Sequence, residues 1–290
     1  MNEPLVSVII PTFRDEARLR FCIDCLMAQT YPRDRFEVIV VNNDPASREA
    51  SRRWFNDGCV KVITENSPGS YNARNRGASA ATGQILAFTD SDCRPKPDWL
   101  AQLADCMSRN YADIVTGGIH MIAKDPSQIT AIEAYDFATG LPQESLARQK
   151  RGVTANMAVK AARFSSVGGF DGTRLSGGDL EICQRIEAAG GHFAYCEGAV
   201  VCHPLRSQWH EVISKARRVA GAKANVSSRE IVRTIPRLAT AQLNALRLIS
   251  FSDDLSLRQK IKAIGVLGIV KIVQGWEFLR ILLCRTKGLR

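Results

Sequence analysis

The chain has 290 residues, 45% of them hydrophobic and 23% charged, which allows one sizeable core with an appendage and excludes a disordered or fibrous protein. Its formal net charge of +10 is unevenly spread: residues 205–290 hold 17 Lys and Arg against 5 Asp and Glu, whereas residues 1–204 hold 22 against 24. That asymmetry directs the C-terminal third toward a polyanion, anionic lipid or nucleic acid, with a solvated basic face as the plainer reading.

Nine cysteines without framework spacing, behind an N-terminus that runs straight into a strand, fit a reducing compartment. Cys22 and Cys25 form a lone C-x-x-C in a helical stretch with no second pair, so it is not read as a redox or metal motif. No uncharged apolar run reaches the ~18 residues of a membrane span; the run Ala263 to Val270 is stopped by Lys271. The expectation is a cytoplasmic protein, peripheral at most.

In chain order, Val6 to Ile10 is a buried-type strand ending in Pro11-Thr12. Leu19, Ile23 and Leu26 mark one face of a helix, Tyr31-Pro32 breaks it, and Phe36 to Val41 is the second strand. The alternation continues with a helix over 46–55, strand 60–63, helix 73–81, strand 84–89, helix 99–107 and strand 112–117. Residues 124–152 have weak periodicity and read as an insert or mobile loop. A strand over 153–159, a helix over 179–189 closed by Gly190-Gly191, and a strand over 194–202 reaching His203 complete the pattern. From about Ser207 the chain is helical and basic. The fold class is therefore α/β: a Rossmann-like, mostly parallel sheet flanked by helices over residues 1–205, followed by a helical basic C-terminal extension over 206–290. Such sheets bind ligands beyond the carboxyl ends of their strands.

Three constellations lie there. Thr89-Asp90-Ser91-Asp92 ends an apolar strand in two carboxylates at i and i+2, which project to one side in extended geometry and suit one hard cation such as Mg2+. Taken alone, the same pair describes a capped turn. Gly69 to Gly77 opens a helix after the third strand, offering backbone N–H groups, a positive dipole end and the guanidinium groups of Arg74 and Arg76. Ser176-Gly177-Gly178-Asp179-Leu180-Glu181 sets a carboxylate at a helix start, where an ordinary N-cap would also stand.

The order of Pro11-Thr12, Asn42-Asn43-Asp44, Gly69-x-x-x-Ala73-Arg74-Asn75-x-Gly77, Asp90-x-Asp92, Thr154-Ala155-Asn156, Gly168-Gly169-Phe170-Asp171, Gly178-Asp179-x-Glu181 and His203 resembles the family 2 glycosyltransferases of GT-A fold over about residues 5–205. The resemblance implies an inverting transfer of a sugar from a nucleoside-diphosphate donor to an acceptor hydroxyl, in bacterial polysaccharide or glycoconjugate synthesis. Pro11 and Thr12 would border the nucleotide, Asn42 would face the base and Arg74 would contact base or diphosphate. Asp90 and Asp92 would serve the ribose and a Mg2+ or Mn2+ ion, with His203 near the metal, and Asp179 would be the base. Asn156, Gly178 and Glu181 fall on the acceptor side, with the insert beside them.

Two departures stand out: the family's acidic pair after the second strand is Asn42-Asn43 here, and its Glu-Asp pair before the base is Gly178-Asp179. Asn42 can still accept from an imide N–H, so a UDP-sugar is the favoured donor, with a glycan or lipid-linked sugar as acceptor. Other readings are a non-catalytic nucleotide-sugar-binding scaffold, a sugar-1-phosphate nucleotidyltransferase, for which the chain lacks a Gly-rich basic loop after the first strand, and a basic nucleic-acid-binding protein. The tail has neither motif nor aromatic interleaving for nucleic acid. Its Arg229, Arg233, Arg237 and Arg247 share a helical sector interrupted by Pro236, and Lys260, Lys262, Lys271 and Arg280 punctuate an apolar run, so the tail's expected partner is an anionic membrane surface at the cytoplasmic face.

Overall fold

The computed structural model describes residues 3–51, 54–55, 60–224 and 243–284. The chain divides into two compact units: Met1–His120, Pro142–Arg174 and Gly178–His203 form the first, and Met121–Leu141, Leu175–Gly177 and Pro204–Arg290 the second.

The first unit is built on an eight-stranded sheet of order β3-β2-β1-β4-β7-β6-β8-β5. Its strands are β1 Val6–Thr12, β2 Phe36–Asn42, β3 Val60–Thr64, β4 Ile85–Phe88, β5 Arg94–Pro95, β6 Ile114–Ile122, β7 Met157–Lys160 and β8 Phe193–Pro204. β3, β2, β1 and β4 pair in parallel; they are joined through α1 Glu16–Met27, the short α2 Arg48–Ser51 and α3 Ser70–Ala80. Every residue of β1 is buried, as a strand covered on both faces requires. Beyond β4 the direction changes, because β7 runs antiparallel to both β4 and β6, and β5 antiparallel to β8. α4 Trp99–Arg109, α6 Gln143–Ala147, α7 Ala161–Ser166 and α8 Gly178–Ala188 complete this unit.

Its core joins Ile9 and Ile39 of the parallel half to Phe88, Met157, Phe164, Phe170 and Ile182. Phe88, Phe164 and Phe170 lie with ring centroids 5.3–5.6 Å apart in tilted and edge-on pairs, the arrangement that ring quadrupoles favour. A Cβ on Gly77 would stand 2.5 Å from Ile9 Cγ2, so glycine lets α3 lie close on β1. That close seat fixes where the first turn of α3 points.

In the second unit α5 Ala131–Thr139 is started by a capping box in which Thr130 accepts from the Glu133 N–H and Glu133 accepts from the Thr130 N–H. It packs with α9 Trp209–Ala224, α10 (residues 243–250) and α11 Leu257–Cys284 through two apolar clusters, one around Ile132, Val212, Ala216, Val266 and Val270, the other around Ala134, Ile249, Leu255, Ala263 and Leu267. The stretch read from the sequence as an insert is thus two helices, α5 and α6. Its Ala131–Ala138 part supplies an apolar stripe too short to stand out by periodicity.

A buried carboxylate anchors this helical unit. Asp136 is 1% exposed and accepts from the Arg206 backbone N–H at 3.0 Å and from its guanidinium at 3.0 and 3.2 Å, with Lys215 Nζ 3.5 Å away. Burial pulls the Asp136 carboxyl upward, but Lys215 and Arg206 more than offset it and hold it below the ordinary range. Burial, aided by the Arg206 guanidinium, pushes the Lys215 ammonium down to about 8. Of the predicted basic sector, Arg247 lies on α10, while Arg229, Arg233, Pro236 and Arg237 fall outside the described residues.

Candidate active site

The site grows from the end of β4. Thr89, fully buried, donates its hydroxyl to the Ala155 carbonyl at 3.0 Å and locks the strand end to the segment before β7. The chain then turns, with the Cys93 N–H donating to the Asp90 carbonyl at 3.1 Å. Asp90 and Asp92 therefore converge through a turn, not through the alternation of an extended strand.

β5 follows at once and pairs with β8, Arg94 opposite Cys202. This pairing returns His203 to the turn, with Nε2 3.6 Å from Asp92 Oδ1. Ligand atoms of Asp90, Asp92, Cys93 and His203 all lie within 4.8 Å of one another. Two hard carboxylate oxygens and an imidazole nitrogen fit Mg2+ or Mn2+. The Cys93 thiol is pushed well above its usual range by burial and by Asp90 and Asp92, and a hard cation does not call for it. Arg18 adds a cation 3.8 Å from the other Asp92 oxygen.

The α3 helix carries the second half. Gly69, at φ 120°, turns the chain into it, and Tyr71 and Arg74, one turn apart, face the same way. Arg74, 4% exposed, pairs with Asp90 Oδ1, and its guanidinium carbon lies 5.9 Å from the Tyr71 ring centroid. Among the described residues its Nε has no hydrogen-bond partner, which leaves a buried donor available to a ligand. The Tyr71 hydroxyl donates to Asp179 Oδ1 at 3.2 Å. Burial, with Asp179 adding to it, moves the Tyr71 phenol up to about 12, so it stays protonated.

Asp179 stands in the first turn of α8, where its Oδ1 also accepts from the Leu180 N–H at 3.1 Å. Burial raises its carboxyl above the usual range, and Arg74 opposes this only in part. A carboxylate with raised pKa, tied to the same helix as a carboxylate pair, is an arrangement able to take a proton near a candidate ion-binding cluster.

The remaining predicted residues fare differently. Pro11 and Thr12 are buried at the carboxyl end of β1, and among the described residues the Thr12 Oγ1 has no hydrogen-bond partner. Asn42, at the end of β2, spends its side chain on the following turn: Oδ1 accepts from the Asp44 N–H at 3.0 Å, and Nδ2 donates to the Asp44 carbonyl and to Ser47 Oγ at 3.3 and 3.1 Å. The acid near it is Asp44, bound by Arg14 at 2.9 Å and lowered chiefly by that hydrogen bond.

Two of the acceptor-side candidates are engaged within the protein. Asn156 is 0% exposed and fully occupied, accepting from Trp99 Nε1 at 2.9 Å and donating to the Gly118 and Ala199 carbonyls at 2.8 and 2.7 Å; it ties β6, β8 and α4 together. Glu181 is held by Arg185 at 2.5 and 2.8 Å, and Arg185 in turn donates to the Val167 and Gly169 carbonyls, so this acid shapes the Gly168-Gly169 loop. Gly178 is buried against Tyr71. Tyr71, Cys93 and the Arg14–Asp44 pair were given no role in the sequence reading. Only Tyr71 had a signal, its i, i+3 spacing from Arg74.

The family model described as glycosyl transferase family 2 matches residues 7–166. The glycosyltransferase AglE of Haloferax volcanii is 32% identical over 228 residues, covering 77% of this chain and 74% of that protein. A pre-mycofactocin glycosyltransferase of Mycobacterium tuberculosis is 27% identical over 98% of this chain, which spans 62% of its length. Among solved structures, a mannosyltransferase from Pyrobaculum calidifontis in complex with GDP-Man and Mn2+ aligns over 99% of this chain and 89% of its own, with TM-score 0.57 and 19% identity. S. aureus TarS 1–349 in complex with UDP-GlcNAc aligns over 93% of this chain and 81% of its own, with TM-score 0.56 and 18% identity. These structural likenesses share the α/β fold of GT-A glycosyltransferases.

Proposed function

The chain belongs to glycosyl transferase family 2 and is a glycosyltransferase, and from that premise we propose that it transfers a sugar from a nucleoside-diphosphate donor to an acceptor hydroxyl with inversion at the anomeric carbon. The observation that carries this reading is α3, which holds Arg74 on Asp90 at the ion-binding cluster and Tyr71 on Asp179 from a single rigid turn. Both solved neighbours are described with nucleotide sugars, GDP-Man in one and UDP-GlcNAc in the other. That range supports the donor class, and UDP remains the favoured nucleotide. The acceptor class is a glycan or a lipid-linked sugar, in polysaccharide or glycoconjugate synthesis.

Asp179 accepts the proton of the attacking hydroxyl, and its raised pKa supports this role. Asp179 acting alone as base, with the nearby Glu181 taken up by Arg185, supports one direct displacement, hence inversion. Arg74 presents fixed positive charge, with its Nε without a hydrogen-bond partner among the described residues, to the departing diphosphate. Asp90, Asp92 and His203 would hold Mg2+ or Mn2+, which when bound supplies charge neutralisation for that leaving group. Pro11 and Thr12 line the nucleotide end of the site; Asn42 supports the turn beside it.

We further propose that the C-terminal unit rests on an anionic membrane surface at the cytoplasmic face. No helix among the described residues is long and apolar enough to cross a membrane. Yet α11 exposes Leu257, Ile261, Ile272, Trp276, Leu279 and Leu283, with Ile272, Trp276 and Leu283 at 74%, 69% and 79%. On a wheel of about 100° per residue these fall within one sector of roughly 100°, opposite buried Val266 and Val270. Arg258, Lys260, Lys262, Lys271 and Arg280 lie on this helix against the single acid Glu277. A basic helix with such an outer face suits an anionic interface, each cation contributing about 1 kcal/mol near the surface.

Nucleoside diphosphate release from a panel of UDP- and GDP-sugars, with Mn2+ and with EDTA, tests the catalytic reading. Release that requires the metal is expected. Turnover unaffected by saturating chelator would remove the metal from the account, and binding of every donor without turnover would favour a scaffold.

A further inference from the structure

Resting on the reading of Asp179 as the base, we propose that Tyr71 is its positioning residue: the phenol hydroxyl fixes one carboxylate oxygen and leaves the other to take the proton. The geometry assigns the direction of each hydrogen bond. The backbone N–H groups of Gly178 and Asp179 donate to the Tyr71 oxygen at 2.9 and 3.4 Å. With its lone pairs so engaged, the single phenol proton is directed to Asp179 Oδ1 at 3.2 Å. That oxygen also accepts from the Leu180 N–H. Oδ1 is thus held by two donors from two helices, and Oδ2 becomes the basic atom.

The ring is seated to do this. Tyr71 is 7% exposed, stacks on Phe170 at 5.5 Å between centroids, and lies in the same core cluster as Phe88 and Ile182. Gly178 is the counterpart of that seat, because a Cβ there would stand 2.8 Å from two carbons of the Tyr71 ring. Any side chain at position 178 must displace the ring and carry its hydroxyl off Asp179. The missing side chain at 178 and the tyrosine at 71 therefore form one device.

Among the described residues, the charged and titratable groups that act on Asp179 are Arg74 and Tyr71 from α3 and Cys183 from its own helix. Removing the hydroxyl alone leaves Arg74 and the ring in place. Tyr71→Phe then withdraws a donor from the ionised carboxylate, whose pKa rises further.

The test needs no known substrate. Protein labelled with 13C at the aspartate carboxyl carbons is titrated by NMR, with Asp179→Asn identifying the Asp179 resonance. In Tyr71→Phe the Asp179 midpoint should move up by about one pH unit, the scale of a hydrogen bond to a charged group. With the donor that the unaltered protein hydrolyses fastest in Mn2+, kcat should fall by roughly tenfold with KM little changed. The acid limb of the kcat profile should move in the same direction as the resonance. Gly178→Ala should reproduce the shift while keeping the hydroxyl. An unmoved Asp179 midpoint in Tyr71→Phe overturns the proposal, even if turnover drops through loss of stability. Full turnover in Asp179→Asn would instead remove the base assignment and leave the measured coupling standing.

Discussion

The two units place charge and apolar surface in opposite ways. In the first, ionisable groups are drawn inward at the strand ends: Arg74 and His203 are at most 4% exposed, and Asp90, Asp92 and Asp179 are only partly accessible. Apolar side chains fill the core around them. In the second, the buried carboxylates are taken up inside the helices, Asp136 by two cations, Glu277 by Arg280 and Glu133 by the α5 capping box, while Leu, Ile and Trp side chains of α11 face outward. Buried charge is costly unless paired, so unit 1 reads as a surface built for charged ligand chemistry. An exposed apolar face is costly unless something covers it, so unit 2 reads as a surface for a partner.

The largest effect should come from breaking the unit 1 cluster. Asp92→Ala removes one of the three proposed metal ligands, and Mn2+ affinity measured by calorimetry should fall at least about a hundredfold, the upper range for losing even a supporting partner of a ligand. Retained affinity would move the metal elsewhere. In unit 2 the matching lesion is Arg206→Met, which strips Asp136 of its bidentate partner. Denaturant unfolding should show a loss of about 2 kcal/mol, the scale of a charged hydrogen bond, with the metal affinity of unit 1 unchanged.

A smaller effect is expected on the outer face of α11. Trp276→Ser should weaken binding to vesicles containing anionic phospholipid by roughly tenfold, given about 1.5–3 kcal/mol for burying one large apolar side chain, and turnover on a soluble acceptor should not change. Vesicle binding that ignores both this substitution and salt would point to a protein partner for the face. The smallest effect concerns stability at Asp179. Its pKa is raised in the folded protein, so the stability linked to it is fully present below its unfolded value and lost as pH rises through the folded one. Asp179→Asn should therefore melt slightly higher than the unaltered protein at neutral pH and show no such gain near pH 3. A lower melting temperature at both would contradict the raised value.

Much of this was legible in the sequence because its signals were local. Apolar runs ending in Pro11-Thr12, Asn42 and Thr89-Asp90 fixed both the strands and the loops worth reading, since in parallel sheets chemistry collects at those ends. Periodicity does not report strand direction, so the antiparallel pairing beyond β4, and with it the route by which β5 returns His203 to Asp92, appears only in three dimensions. Asn156 entered through the Thr154-Ala155-Asn156 motif, and its three buried partners, which no spacing rule shows, appear only in three dimensions. Gly178 read as a departure from pattern. Its meaning depends on Tyr71, 107 positions away, which no spacing rule connects.

The most direct test of the central claim sets donor binding against transfer in Asp179→Asn. With the favoured nucleotide sugar and Mn2+, the account predicts an unchanged donor Kd and a fall in transfer of roughly 10² or more, the scale for losing a general base. Transfer at the rate of the unaltered protein, with donor bound equally well, would contradict it.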